Sequence, residues 1–256
     1  MSMSTAHNAS ILDQFTRQAI PFNTSPGIKD EIALNLLIEA SGAGRTDTML
    51  DVACGGGLVV CAFAKVVAHA TGIDITPAMI QRSRQLAQDK GLTNVTWKLG
   101  DVLPLPFPDA SFSIVTSRFA FHHFLDPFAV LGEMKRVCRP GGKVVVADSS
   151  PAAEKADAFN AMEKLRDPSH TRALPLAELE SLFTRHGLPR PRHSWYRLES
   201  DLESLLARSF PNPGDDDKIR GLFRASIGND VLDIKARREG DLIVYGFPVA
   251  VLVADR

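Results

Sequence analysis

The segment Asp51-Val52-Ala53-Cys54-Gly55-Gly56-Gly57 is the first place in this chain with residues spaced for chemistry. It follows a short apolar run and precedes a helical pattern. In open α/β sheets, ligands sit beyond the carboxyl ends of strands, where the strand order reverses. Glycines there let the backbone approach a ligand closely. A dinucleotide fingerprint would complete G-x-G-x-x-G. From Gly55 the pattern runs through Gly57 to Val60, so it fails. Asp51 would repel a pyrophosphate but can hold an ammonium group. S-adenosylmethionine carries an α-amino group and no phosphate, so the chemistry favours it over NAD.

Further along, Asp74 ends a second apolar run, where a carboxylate can accept hydrogen bonds from both ribose hydroxyls. Ile75 and Met79 offer apolar faces for an adenine, or plain core packing. In Gly100-Asp101-Val102, Asp101 can accept from an adenine amino group and the Val102 amide can donate to a ring nitrogen. The edge Ser117-Arg118-Phe119-Ala120-Phe121-His122-His123 should lie near the reacting group. Imidazole titrates near neutrality, so His122 and His123 are candidate general bases. The alternative is that one of them bonds the backbone entering the next helix. Cys54 has no neighbour in sequence that would activate it as a nucleophile.

These residues need a scaffold that brings strand ends to one edge. From about residue 46 to 149, β-branched runs at 48–53, 69–75, 94–99, 111–117 and 143–148 alternate with helical patterns. Thr76-Pro77 and Asp126-Pro127 each read as an N-cap followed by proline at the first helical position. The alternation predicts a parallel sheet with helices on both faces. Beyond 149, helices are expected at 152–165, 176–186, 201–208 and 217–226, and strands at 192–198 and 243–253. Pro248 is awkward inside a central strand and predicts a bulge or a late strand start.

Composition narrows the function classes. The 256 residues are 45% hydrophobic with a net charge of −1, which argues against a nucleic-acid partner. Cys54, Cys61 and Cys138 show no C-x-x-C spacing, so neither a disulfide framework nor a metal site is expected, and a reducing, cytoplasmic setting fits. Residues 1–10 lack a signal-peptide core, and residues 58–75 are too broken for a membrane span.

Taken together, Leu50–Gly57, Gly72-Ile73-Asp74-Ile75-Thr76, Gly100–Asp109, Ser111–Val115, His122–Pro127 and Met134–Gly142 resemble the class I S-adenosylmethionine-dependent methyltransferases. The likeness is to the broad type 11 group that includes the ubiquinone/menaquinone C-methyltransferases. It covers residues 46–150. It implies one α/β domain over residues 1–256, with a Rossmann-like, doubly wound seven-stranded sheet. The last strand is antiparallel and follows a helical insertion. Residues 46–150 form the cofactor core, and 1–45 and 150–240 cover cofactor and substrate.

By position, the resemblance implies that Asp51, Gly55 and Gly57 hold the methionine end, Asp74 the ribose, and Asp101 and Val102 the adenine. Ala53, Ile75, Met79 and Arg118 join the cofactor set. Phe15, Arg17 and Phe22 are candidates for closing over it. In some relatives an R-D-x-S-H-x-R segment follows the fifth strand, as Arg166-Asp167-Pro168-Ser169-His170-Thr171-Arg172 does here. Arg166, His170 and Arg172 would then join Arg118 around a small, acidic, phenolic or quinone-like acceptor. The Asn/Asp-Pro-Pro-aromatic signature of many nucleic-acid and protein amino-methylases is absent. The expected activity is methyl transfer to a small molecule by a monomer or homodimer. The alternatives are cofactor binding without transfer, or another reaction using this cofactor.

Overall fold

A computed structural model describes residues 3–24 and 28–256, with side chains for 5–19 and 28–256. Two helices come first, α1 (Met3–Thr24) and α2 (Glu31–Ser41). The alternating region follows as β1 (Thr48–Val52), α3 (Leu58–Phe63), β2 (His69–Asp74), α4 (Pro77–Asp89), β3 (Val95–Leu99), β4 (Phe112–Arg118), a 3-10 turn (Phe121–His123), α5 (Pro127–Val137) and β5 (Cys138–Ser149). The remainder is α6 (Ala156–Arg166), α7 (Leu176–Arg185), β6 (Arg192–Asp201), α8 (Leu202–Ala207), α9 (Asp215–Ser226), β7 (Arg237–Glu239) and β8 (Leu242–Asp255).

The sheet runs β3-β2-β1-β4-β5-β8-β6, with β1 to β5 parallel and β8 antiparallel to both neighbours. The order reverses between β1 and β4, so the expected switch point falls at the end of β1, beside Asp51. The eighth strand, β7, was not expected. It folds back on β8 through Gly240-Asp241, with Gly240 at φ 59°. A two-residue turn with positive φ suits such a hairpin.

Strand alternation separates the two faces of the sheet. Leu50, Val115, Val144 and Leu252 pack under α5 and α7, while Met49, Ile114, Val145 and Val251 pack under α2, α3 and α4. Asp126 caps α5 by accepting from Ala129 N at 2.9 Å, whereas Thr76 sits at the N-cap of α4 without a side-chain cap bond. The first half of β8 outruns β5, whose ladder ends at Ser149 opposite Val249. There Tyr245 and Phe247 carry a second core shared with α6, α8 and α9. This extension builds a wall above the carboxyl edge of the parallel strands.

Pro248 corrects an expectation. It lies within β8, paired with Arg197, with neither a bulge nor a late start. Its carbonyl accepts from Ser150 N at 2.8 Å, just past the end of the β5 ladder. The missing amide therefore faces the side where no ladder bond is required.

Candidate active site

Two adjoining chambers lie at the carboxyl edge, under α1. The outer one is a cleft of about 920 Å³ at the switch point, floored by the turn after β1. That turn takes left-handed backbone at Ala53 (φ 58°), Gly55 (φ 50°) and Gly57 (φ 81°). Asp74 fastens it from the end of β2: one carboxylate oxygen accepts Gly55 N and the other accepts Thr76 N, both at 2.8 Å. Burial raises the Asp74 carboxyl, and these backbone donors oppose the rise. Ala53, Ile75, Met79, Asp101 and Val102 line the same cleft.

The innermost end of the cleft holds an unbalanced pair. Asp51 is buried and accepts from Thr116 Oγ1 at 2.7 Å, yet burial pushes its carboxyl up to about 7. Arg118 donates from Nη1 to Ile28 O at 2.9 Å and from Nε to Tyr196 Oη at 3.3 Å, while its buried Nη2 has no partner. One group is short of a cation and the other of an acceptor. An amino-acid zwitterion supplies both, so the residues present fit the methionine end of S-adenosylmethionine.

Several expected site residues stand elsewhere. Gly57 does not line the cleft. A Cβ there would meet Trp97 Cη2 at 2.6 Å and Ser83 Cβ at 2.7 Å, so this glycine clears packing under the turn. The Val102 amide donates to Asp101 Oδ1 at 2.6 Å, and Asp101 Oδ2 accepts from Asn8 on α1 at 3.0 Å. Arg17 is exposed and pairs with Asp13 along α1. Phe22 lies outside the residues whose side chains are described. Arg172 is exposed and forks onto Glu178 at 2.5 and 2.7 Å, because its chain turns it outward from the loop before α7. His170 is buried against Asn160 Oδ1 at 2.7 Å and lines neither chamber. Of the expected basic cluster, Arg166 alone lines the inner chamber, where it is paired with Glu163, while His170 and Arg172 line neither chamber.

The inner chamber, about 560 Å³, shares Phe15, Ile28, Phe119 and His123 with the cleft as a common wall. His122 and His123 come from the 3-10 turn and differ in their surroundings. His123 Nδ1 donates to Ser169 O at 3.1 Å, and its ring meets Phe15 edge-on at 5.0 Å. Burial and the neighbouring His122 hold its pKa well below the usual histidine value, so it stays neutral. His122 places Nδ1 on the Asp148 carboxylate, which also accepts from Ser149 N at 2.6 Å. Burial disfavours the His122 imidazolium, but Asp148 outweighs it and the pKa ends above the ordinary value. With Nδ1 committed, Nε2 is the nitrogen left to the chamber that the ring lines.

Asp148, Gln18, Glu163 and Arg208 are site residues that sequence reasoning missed. Asp148 had a signal, since it lies at the carboxyl end of the fifth strand. The others come from α1, α6 and α8, which carry no motif. Among the described residues no helix is long and apolar enough to cross a membrane, and no His/Cys/Asp/Glu group is arranged to hold a metal.

Residues 50–146 match the family model described as a methyltransferase domain. Over 187 residues the chain is 33% identical to the uncharacterized methyltransferase YcgJ of Bacillus subtilis, covering 72% of this chain and 74% of that protein. It is 32% identical to the ubiquinone/menaquinone biosynthesis C-methyltransferase UbiE of Shewanella halifaxensis, covering 73% and 68%. The crystal structure of the Bacillus protein superposes with a TM-score of 0.81 over 88% of this chain and 98% of that one, at 25% identity.

Proposed function

Since this chain belongs to the S-adenosylmethionine-dependent methyltransferases, we propose that it methylates a small molecule seated in the inner chamber, at a hydroxyl of phenolic or enolic character. The observation that carries this reading is the common wall of Phe15, Ile28, Phe119 and His123, which sets the two chambers side by side. The bound cofactor supplies an activated methyl group on a sulfonium, so the protein's work is to position the acceptor and exclude water. Asp51 and Arg118 would hold the amino-acid end, and Asp74 the ribose. The acceptor hydroxyl would give its proton to His122 Nε2 as the new O–CH3 bond forms and the S–CH3 bond breaks. Asp148 holds the imidazole in the tautomer that leaves Nε2 basic and stabilises the imidazolium that results.

The test is a metabolite panel of phenols, enols and their neutral ethers, scored by S-adenosylhomocysteine formation and mass of the product. Transfer confined to the ionisable hydroxyl compounds supports the reading; no transfer to any of them rejects it.

Two predictions concern the cofactor end. Asp74→Ala should weaken S-adenosylmethionine binding about 10- to 100-fold in a calorimetric titration, the scale of lost charge-assisted hydrogen bonds. Wild-type affinity in that variant would contradict the ribose role. The second concerns pH. Asp51 binds an ammonium only as the carboxylate, and its carboxyl sits at about 7 in the free protein. Affinity should therefore be level above about pH 7 and fall below it, by at most about tenfold per pH unit. Asp51→Asn should bind weakly and lose that dependence. A wild-type titration flat from pH 8 to about pH 6 would remove Asp51 from the role.

A further inference from the structure

The charged groups lining the inner chamber are unequally satisfied. Glu163 takes Arg166 with both oxygens, each at 2.7 Å. Asp167 accepts from Ser169 N at 2.9 Å and Ser169 Oγ at 2.6 Å, and from Gln18 Nε2 at 3.2 Å. Asp148 is engaged by His122. Arg208, at the end of α8, has no carboxylate within ion-pairing distance among the described residues. Its guanidinium makes two long bonds to neutral hydroxyls, Nη1 to Ser200 Oγ and Nη2 to Tyr245 Oη, both at 3.3 Å. Tyr245 is fully buried, and burial raises its phenol, so it cannot answer the charge. Asp201, the neighbouring acid, caps α8 by accepting from Ser204 N at 2.8 Å; the Arg208 charge helps hold its carboxyl below the usual range, but the two form no ion pair.

A half-buried cation without a counter-ion is costly, and a ligand anion relieves that cost. Arginine has five donors in a planar fork that matches a carboxylate. Phe15, Phe119 and Phe247 give the chamber flat apolar walls, and the other charged groups that line it, Glu163, Arg166 and Asp167, are engaged within the protein. We propose that Arg208 anchors a carboxylate on the acceptor, so that the substrate class is a small hydroxy acid with a planar apolar body. This rests on reading the inner chamber as the acceptor site. It makes Arg208 a specificity-determining residue, in place of the arginine cluster expected from sequence.

The test is binding rather than turnover. Benzoate, benzamide and phenyl phosphate are titrated into the full chain saturated with S-adenosylhomocysteine, followed by ligand NMR. Benzoate should bind about 10- to 100-fold more tightly than benzamide, as charge-assisted bonds would give. Arg208→Gln should erase that preference, and Arg208→Lys should retain part of it, since it keeps the charge and loses the fork. Arg172→Ala, on the surface, should leave it unchanged. No saturable benzoate binding, equal binding of benzoate and benzamide, or a preference that survives in Arg208→Gln overturns the proposal. Tighter binding of phenyl phosphate than of benzoate overturns the carboxylate assignment. If the benzoate preference holds while the metabolite panel yields no transfer, the reaction is rejected and the anion site stands.

Discussion

With an acceptor from the metabolite panel, His122→Gln is expected to lower kcat about 10²- to 10⁴-fold, the range for loss of a positioned general base. S-adenosylmethionine affinity should hold, because His122 does not line the cofactor cleft. The pH profile separates this base from Asp51. At saturating cofactor the Asp51 limb disappears from the rate, and the remaining acidic limb belongs to His122. Asp148 lifts that imidazole above its ordinary value, so activity is present when the ring is neutral and is lost as pH falls through the raised pKa. His122→Gln should abolish this limb as well as the rate. Asp148→Asn should also lower kcat, by releasing the tautomer that keeps Nε2 unprotonated. A glutamine variant with wild-type kcat and the same limb would show that the pair only holds the chain together.

The second large effect is on folding. Gly57→Ala should destabilise the protein by about 2–5 kcal/mol, combining left-handed backbone strain with overpacking. A Cβ would collide with Trp97 Cη2 and Ser83 Cβ, and the residue sits at φ 81°. A Cβ at Gly72 would meet the same indole, 2.9 Å from Trp97 Cζ3. Urea unfolding measures the loss, and a double-mutant cycle locates its cause. Trp97→Phe removes the colliding ring atoms, so the two substitutions together should cost less than their sum. Strict additivity would clear Trp97 and leave backbone strain and the contact with Ser83 Cβ as the cause.

The sheet was legible because each of its parts carries a local signal. The runs that became β1 to β5 are β-branched and bounded by caps and glycines, and Asp126-Pro127 marks the start of α5 unambiguously. The lining of the outer cleft was legible for a related reason: Asp51 lies next to the last residue of β1 and Asp74 ends β2, and the topology alone brings strand ends to one edge. Gly57 was misread because a glycine that clears an indole and one that admits a ligand look alike until Trp97 is placed. The acceptor side was misread more deeply. Arg166 and Arg172 lie six residues apart in one segment, yet one is committed to Glu163 inside and the other to Glu178 outside. Arg208 stands alone on α8, and only the outrun of β8 past β5 makes its surroundings a chamber. Side-chain partners across elements decide such cases, and no spacing rule encodes them.

Helix α1 touches both chambers along its length. Asn8 holds Asp101 at the outer cleft, Phe15 meets His123 on the common wall, and Gln18 holds Asp167 at the inner chamber, while Gln14 donates to Ser209 O at 2.5 Å. A roof pinned at these points does not lift over one occupant without disturbing its grip on the other. With the proposed acceptor in the inner chamber, the two ligands are expected to be energetically linked, and by reciprocity each would alter the other's affinity by the same factor.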